Sequence, residues 1–284
     1  MSDHPVLAGA EPWSYAGGEA GVLVLHGFTG SPQSMRRLAE AFAAAGFTVE
    51  LPLLPGHGTR VEDMVPTRFG DYTQAVEDVC ADLVARCEPV LVAGLSLGGT
   101  LALWLAAHHA EIAGLVLVNP LVEPAAESFV AMLTQALAQG VETIPGIGSD
   151  IKAPGVSELA YPATPVAPLL SVQEGATELV AELGNIRCPV LLFSSVEDHV
   201  VPTASGDLLE KTLGERLERV WLTDSYHVAT LDHDAERIEE GAVAFARRVV
   251  GAERPVRGGA ETPGPDAPET PGRDAAERPV PGSP

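Results

Sequence analysis

The chain has 284 residues, 46% of them hydrophobic, and a formal charge of −22. That length and apolar content suit one large α/β domain or two modest ones. The charge would repel nucleic acid and anionic membranes, so neither is an expected partner, and it says nothing about fold.

Three cysteines, Cys80, Cys87 and Cys188, form an odd, sparse set. Such a set fits buried thiols in a reducing compartment better than a disulfide framework. Residues 1–10 lack the apolar core of a signal peptide. No stretch carries the roughly eighteen uninterrupted apolar residues of a membrane span. The expected location is the cytoplasm.

Residues 1–20 read as an arm and an edge strand. The apolar run Gly21–Leu25 has the length and pattern of a strand buried on both faces. It ends in the loop His26-Gly27-Phe28-Thr29-Gly30. A helix follows, with Ser31 as its N-cap, Pro32 at its first position, and Met35, Leu38, Ala39 and Phe42 at helical spacing. Gly46 stops it. Phe47–Leu51 is the next strand, and Pro55-Gly56-His57-Gly58 is a turn. Phe69–Cys87 reads as a helix, with Val76, Val79, Leu83 and Val84 on one face.

Next comes the apolar run Pro89–Ala93, leading into Gly94-Leu95-Ser96-Leu97-Gly98. A helical pattern, Gly99–His109, leads out. A serine between a buried strand and a helix, flanked by glycines two residues away, is a G-x-S-x-G nucleophile elbow. The turn strains the Ser96 backbone and exposes its hydroxyl. The glycines leave room where a Cβ would collide with neighbouring chain. The strand Gly114–Val118 follows. The alternation of strand and helix predicts a mostly parallel central sheet flanked by helices.

The alternation breaks from Leu121 to Asn185, where no buried strand appears. Pro124–Gln139 and Leu169–Leu183 read as helices, and residues 140–170 are rich in Gly and Pro. An excursion at the carboxyl edge of a parallel sheet sits where ligands bind, so residues 121–185 are expected to be an inserted cap. The core then comprises residues 1–120 and 186–251. It resumes with the strand at Pro189–Phe193, a helix at Thr203–Leu213, a strand at Glu218–Leu222 and a closing helix at Asp234–Val250. Residues 252–284 form a Pro/Gly-rich, acidic segment with no aromatic residue and no apolar periodicity. It cannot bury enough surface to offset ordering entropy, and is expected to be a disordered tail.

A serine hydroxyl is a weak nucleophile at neutral pH and needs a base held by a carboxylate. Of the histidines beyond the cap, His199, His227 and His233, His227 follows the last strand, at the edge where a base reaches Ser96. His233 is near the closing helix and His199 directly follows Asp198. Asp198 follows the strand ending at Phe193, one strand over. Asp224, Asp232 and Glu197 compete for the acid. Asp224 reads better as a turn residue and Asp232 as a helix-entry residue. Acyl transfer also needs two donors aimed at the developing oxyanion. The backbone N–H groups of Leu97 and Phe28 suit that role. No metal site stands out: His108-His109 reads as a solvated helix end and His57 as a turn residue. No dinucleotide or phosphate loop follows a strand, so no cofactor is expected.

Several stretches occur together in order. They are Phe28-Thr29-Gly30-Ser31-Pro32, Pro55-Gly56-His57-Gly58-Thr59, Gly94–Thr100, Glu197–Pro202 and Ser225–Asp232. Together they resemble the bacterial monoacylglycerol lipases, a small carboxylesterase branch with the α/β-hydrolase fold. The resemblance covers roughly residues 5–250, including Gly148-Ser149-Asp150 and Glu158–Tyr161. It implies a triad of Ser96, Asp198 and His227, with Phe28 and Leu97 as oxyanion donors. It also implies a cap with an apolar acyl tunnel, where Glu158 senses glycerol and Ile147 lines the pocket. Relatives commonly carry methionine at position 97, the 124–139 helix matches poorly, and the tail has no counterpart. The expected activity is hydrolysis of monoacylglycerols through an acyl-enzyme. The rival expectations are a general carboxylesterase and a non-catalytic ligand-binding member of the fold. A transient lipid-interface contact fits such a substrate, although no basic amphipathic helix supports it.

Overall fold

The computed structural model describes residues 4–251. The expected disordered tail lies outside the described residues. The chain runs β1 (Trp13–Tyr15), β2 (Gly21–Leu25), α1 (Arg36–Ala44), β3 (Thr48–Leu51), α2 (Val61–Met64) and α3 (Phe69–Val84). It continues through β4 (Val90–Leu95), α4 (Leu97–His108), β5 (Ile112–Val118), α5 (Glu127–Ala138), β6 (Thr143–Pro145) and β7 (Ala163–Pro165). It ends with α6 (Val166–Val180), β8 (Val190–Ser195), α7 (Ala204–Leu213), β9 (Leu217–Leu222) and α8 (Ala235–Gly251).

Seven strands form one sheet in the order β1-β3-β2-β4-β5-β8-β9. All neighbours pair in parallel except the edge strand β1, which is antiparallel to β3. The central strands are buried end to end, as their unbroken apolar runs require. β9 is the other edge and is only partly buried up to Leu222. One face of the sheet packs Leu83, Leu101, Leu105 and Leu209 from α3, α4 and α7. The other packs Leu38, Phe42, Ile238 and Phe245 from α1 and α8. Each such buried side chain contributes about 1.5–3 kcal/mol of transfer free energy. Helix α4 is apolar on nearly every side and is accordingly buried.

Helix α1 starts later than its sequence suggests. Pro32–Met35 forms a 3₁₀ turn first, and Ser31 makes no side-chain cap hydrogen bond. The short helix α2 was not legible, because four residues are too few to show periodicity.

The strand order explains the position of the site. From β2 the chain moves outward to β3 and then returns across β2 to β4. The loops leaving β2 and β4 therefore diverge, which opens a crevice at the carboxyl edge. The loops after β8 and β9 reach the same edge. Between β5 and β8 the chain makes a long excursion carrying α5, the β6–β7 pair and α6.

Candidate active site

Ser96 sits between β4 and α4 with φ 53° and ψ −117°. A non-glycine residue there is strained, and surrounding contacts hold it. Its N–H donates to Val118 O at 3.0 Å, and its carbonyl accepts the Thr100 N–H at 3.1 Å. A Cβ on Gly94 would lie 2.2 Å from Gly98 O, and one on Gly98 would lie 2.2 Å from Leu25 O. No side chain fits at either position. The N-terminus of α4 begins at Leu97, so its free N–H groups and the positive end of its dipole face the serine.

Asp198, after β8, and His227, after β9, meet directly. His227 Nδ1 lies 2.8 Å from Asp198 Oδ2. Their side chains are only 8% and 2% exposed. An ionised carboxylate only accepts, so Nδ1 carries the hydrogen and Nε2 is left with its lone pair. Asp198 Oδ1 accepts the N–H groups of Val200 and Val201, each at 2.8 Å. The carboxylate is thus fixed at both oxygens. Asn119, at the end of β5, adds a cross-brace. Its Nδ2 donates to His227 O at 2.8 Å and to Ser195 Oγ at 2.9 Å, and its Oδ1 accepts the Ser195 N–H at 2.8 Å. Asn119 has φ 44°, a conformation Asn tolerates better than most residues.

The loop after β2 carries Phe28 and passes close to the serine. A Cβ on Gly27 would be 3.6 Å from Ser96 Cβ. Two buried histidines support this loop. His57 Nε2 accepts the Thr29 N–H at 3.2 Å while its Nδ1 donates to Pro55 O at 2.9 Å. His26 Nε2 accepts the Leu54 N–H at 3.1 Å while its Nδ1 donates to Gly27 O at 2.9 Å. Burial lowers the His26 pKa to about 3, with the neighbouring His57 adding to the effect. Burial lowers that of His57 to about 4. Both rings are neutral at physiological pH.

Ser96, Phe28, Leu97 and His227 line a cavity of about 130 Å³. The 121–185 excursion supplies its other side through Ile147, Gly148, Asp150, Glu158, Leu169 and Val172. Glu158 is held by its neighbours. The Leu159 N–H donates to Gln33 Oε1 at 3.0 Å, and the Tyr161 N–H donates to Thr29 O at 3.0 Å. Tyr161 Oη also donates to Gly56 O at 2.8 Å. A Cβ on Gly30 would fall 2.6 Å from Glu158 Oε1, so glycine there makes room for the carboxylate. Burial raises the Glu158 pKa, opposed by its electrostatic interaction with His227 and a hydrogen bond from Ser34. Ile147 is 69% exposed at the rim of the cavity.

Comparison with known proteins follows the geometry. Residues 22–240 match the Alpha/beta hydrolase family. The chain belongs to that family. This hydrolase is 45% identical over 252 residues to the thermostable monoacylglycerol lipase of Bacillus sp. (strain H-257), covering 87% of the chain and 98% of the relative. It is 25% identical over 241 residues to a carboxylesterase of Bacillus subtilis (strain 168), covering 84% and 97%. A solved structure from work on LipS and LipT, two metagenome-derived lipolytic enzymes, superposes with a TM-score of 0.81 at 44% identity. It covers 86% of this chain and 100% of its own.

All seven site residues expected from the hydrolase's sequence bear on one region. Ser96, His227, Phe28, Leu97, Glu158 and Ile147 line the cavity, and Asp198 stands behind His227. The competing acids lie elsewhere. Asp224 and Glu197 face Lys152 on the surface, 3.1 and 3.6 Å from its Nζ. Asp232 stands at the entry to α8, where its carbonyl accepts the Ala235 N–H at 3.0 Å. It is also a clamp: its carboxylate accepts the N–H groups of Lys152, Ala153, Tyr226 and His233 at 2.7–2.9 Å. These four donors lower its pKa although burial acts the other way. His57 is a buried prop and not simply a turn residue. Its signal was the second histidine, His26, since two adjacent neutral rings can share the work of holding one loop. The His108-His109 helix end pairs with Glu182, Glu77 and Glu111, and the described residues contain no metal-ligand cluster. In the sequence Asn119 carries no assigned role, and Asp150 stands only within the stretch Gly148-Ser149-Asp150, without a role of its own. Asn119 precedes a proline at a strand end and Asp150 lies between glycines and a Pro-containing stretch, positions where no residue pattern marks a distant partner.

Proposed function

We propose that this hydrolase cleaves monoacylglycerols to fatty acid and glycerol through a serine-bound acyl-enzyme. The observation that carries the reading is one cavity lined by a strained Ser96 and by His227, whose ring is held from behind by Asp198. With Nδ1 committed to Asp198, His227 Nε2 is the nitrogen that takes the Ser96 hydroxyl proton. Oγ then attacks the ester carbonyl carbon. The N–H groups of Phe28 and Leu97 receive the negative oxygen, and losing one such donor typically costs about 2.7–4 kcal/mol of transition-state stabilisation. As the tetrahedral adduct collapses, the C–O bond to glycerol breaks and His227 returns its proton to the leaving oxygen. Water then repeats the steps: its proton passes to His227, its oxygen attacks the acyl carbon, and Ser96 leaves with the proton restored.

Residues 121–185 serve as the cap in this reading. The apolar residues Leu169 and Val172 receive the acyl chain, and Glu158 reads the glycerol hydroxyls. The similarity to a monoacylglycerol lipase supports the glycerol ester as substrate, and the similarity to a carboxylesterase supplies the alternative, ester hydrolysis without glycerol preference. Phe129, Met132 and Val156 are exposed on the same segment and support transient contact with a lipid interface. Free, buried Cys80, Cys87 and Cys188 support a reducing compartment, the cytoplasm. No helix among the described residues is long and apolar enough to cross a membrane.

The direct test is labelling with a serine-directed fluorophosphonate together with turnover of a medium-chain monoacylglycerol. Labelling at Ser96 and turnover abolished in Ser96→Ala are expected. A folded Ser96→Ala protein that retains turnover would exclude the mechanism.

A further inference from the structure

We propose that Asp150 is a positioning residue that holds the acid and the base of this reaction in register. The inference rests on the hydrolytic reading above. Asp150 comes from the 121–185 segment, not from the sheet that carries the other groups. Its Oδ2 accepts the His227 N–H at 3.1 Å and the His199 N–H at 3.2 Å. Its Oδ1 lies 2.8 Å from His199 Nδ1. Its main-chain oxygen accepts the Val228 N–H at 3.1 Å. His199 directly follows Asp198. One carboxylate therefore spans the loop of the acid and the loop of the base, and charged acceptors make the stronger and more directional hydrogen bonds.

The peptide of His227 is gripped from both sides. Asn119, from the core, takes its carbonyl, and Asp150 takes its N–H. The attachment is also reciprocal. Asp232, on the loop that carries the base, takes the N–H groups of Lys152 and Ala153, just beyond Asp150 in the same segment. The two aspartates interlock the segment with the base loop. Asp150 itself lines the cavity beside Gly148 and Ile147. Through Asp150 in particular, the seating of the segment is coupled to the placement of His227. A shift of the segment displaces the base, and misplacement of about 1 Å in a catalytic group can cost about a hundredfold in rate.

The rival account makes Asp150 only an anchor for the segment, and Asp232 provides the comparison. Asp150→Ala is expected to lower kcat on a short-chain ester by about ten- to a hundredfold. KM should stay within about threefold, since substrate contacts remain. Asp150→Asn, which keeps an acceptor for both N–H groups, should recover kcat to within about threefold of native. Asp232→Ala, which releases the Lys152, Ala153 and Tyr226 N–H groups but leaves the His227 and His199 N–H groups on Asp150, should lose less kcat than Asp150→Ala. The imidazole N–H proton of His227, seen by NMR in its bond to Asp198, should broaden or shift in Asp150→Ala and stay native-like in Asp150→Asn. This resonance needs no substrate, so it tests Asp150 even if the native enzyme proves inactive on glycerol esters, an outcome that would instead sink the proposed activity. Should Asp150→Ala not fold, Asp150→Glu replaces it: the displaced carboxylate predicts the same loss of kcat. Native kcat and resonance in the tested variant, a KM rise at constant kcat, or equal kcat losses in the Asp150 and Asp232 variants would each overturn the assignment.

Discussion

Asp198 holds His227 with one oxygen and its own loop with the other: Oδ2 meets His227 Nδ1 at 2.8 Å while Oδ1 accepts two backbone N–H groups at 2.8 Å. An amide cannot do both jobs. In Asp198→Asn one end must present N–H groups to donors, either the ring or the loop. The ring then loses its tautomer or the loop its brace. The expected result is a fall in kcat of about 10⁴-fold, the size found where a triad aspartate elsewhere was so replaced. A kcat within tenfold of native would contradict the geometry.

The strain at Ser96 predicts a stability difference between two inactive variants. Ser96→Ala keeps the φ of 53° on a residue with a Cβ, whereas Ser96→Gly relieves it. Strain of this kind costs about 1–3 kcal/mol. Glycine adds unfolded-state entropy worth about 0.5–1 kcal/mol. Ser96→Gly should therefore be more stable than Ser96→Ala by about 1 kcal/mol, read from urea unfolding midpoints. A less stable glycine variant would mean the elbow is not strained.

The two props of the Phe28 loop predict an acid limit to stability. His26 and His57 titrate at about 3 and about 4 in the folded protein, against 6.5 in an unfolded chain. The unfolded state therefore binds more protons across that window. Stability from the neutral rings is complete above pH 6.5 and is lost as pH falls toward 4 and then 3. Each ring contributes a slope of about 1.4 kcal/mol per pH unit within the window. Unfolding free energies from pH 7 to pH 4.5 should fall less steeply in His57→Gln than in the native protein, by about one proton's slope. Parallel slopes would show that His57 is not held neutral.

Glu158 predicts selectivity more than rate. Its carboxylate lines the cavity beside Gly30. Glu158→Gln should reduce kcat/KM on a monoacylglycerol by about tenfold or more, as expected for a lost hydrogen bond to a charged group, with little effect on the methyl ester of the same acid. Equal losses on both esters would remove Glu158 from glycerol recognition.

Much of this arrangement was legible because the physics is local. The apolar run before Ser96 reads as a buried strand, and the glycines around Ser96 as a close approach of backbones. The order of Ser96, Asp198 and His227 along the chain, each after a strand, matches the order expected once the nucleophile elbow is read. What stayed hidden depends on long-range contacts. Asp150 and Asp232 act through backbone N–H groups, which no side-chain pattern announces. Asp150 meets His199 and His227 at separations of 49 and 77 residues. Asn119 and His57 brace loops whose partners lie 108 and 28 residues away. The 3₁₀ turn at Pro32–Met35 and the four-residue α2 fall below the length at which helical periodicity can be read.

The measurement that bears most directly on the account is a paired rate. Purified protein is given a medium-chain monoacylglycerol and the methyl ester of the same acid, with Ser96→Ala as control. The account predicts a clear preference for the glycerol ester, absent from the control. Comparable rates on the two esters would contradict glycerol recognition and leave a general carboxylesterase, and turnover by Ser96→Ala would contradict the serine mechanism itself.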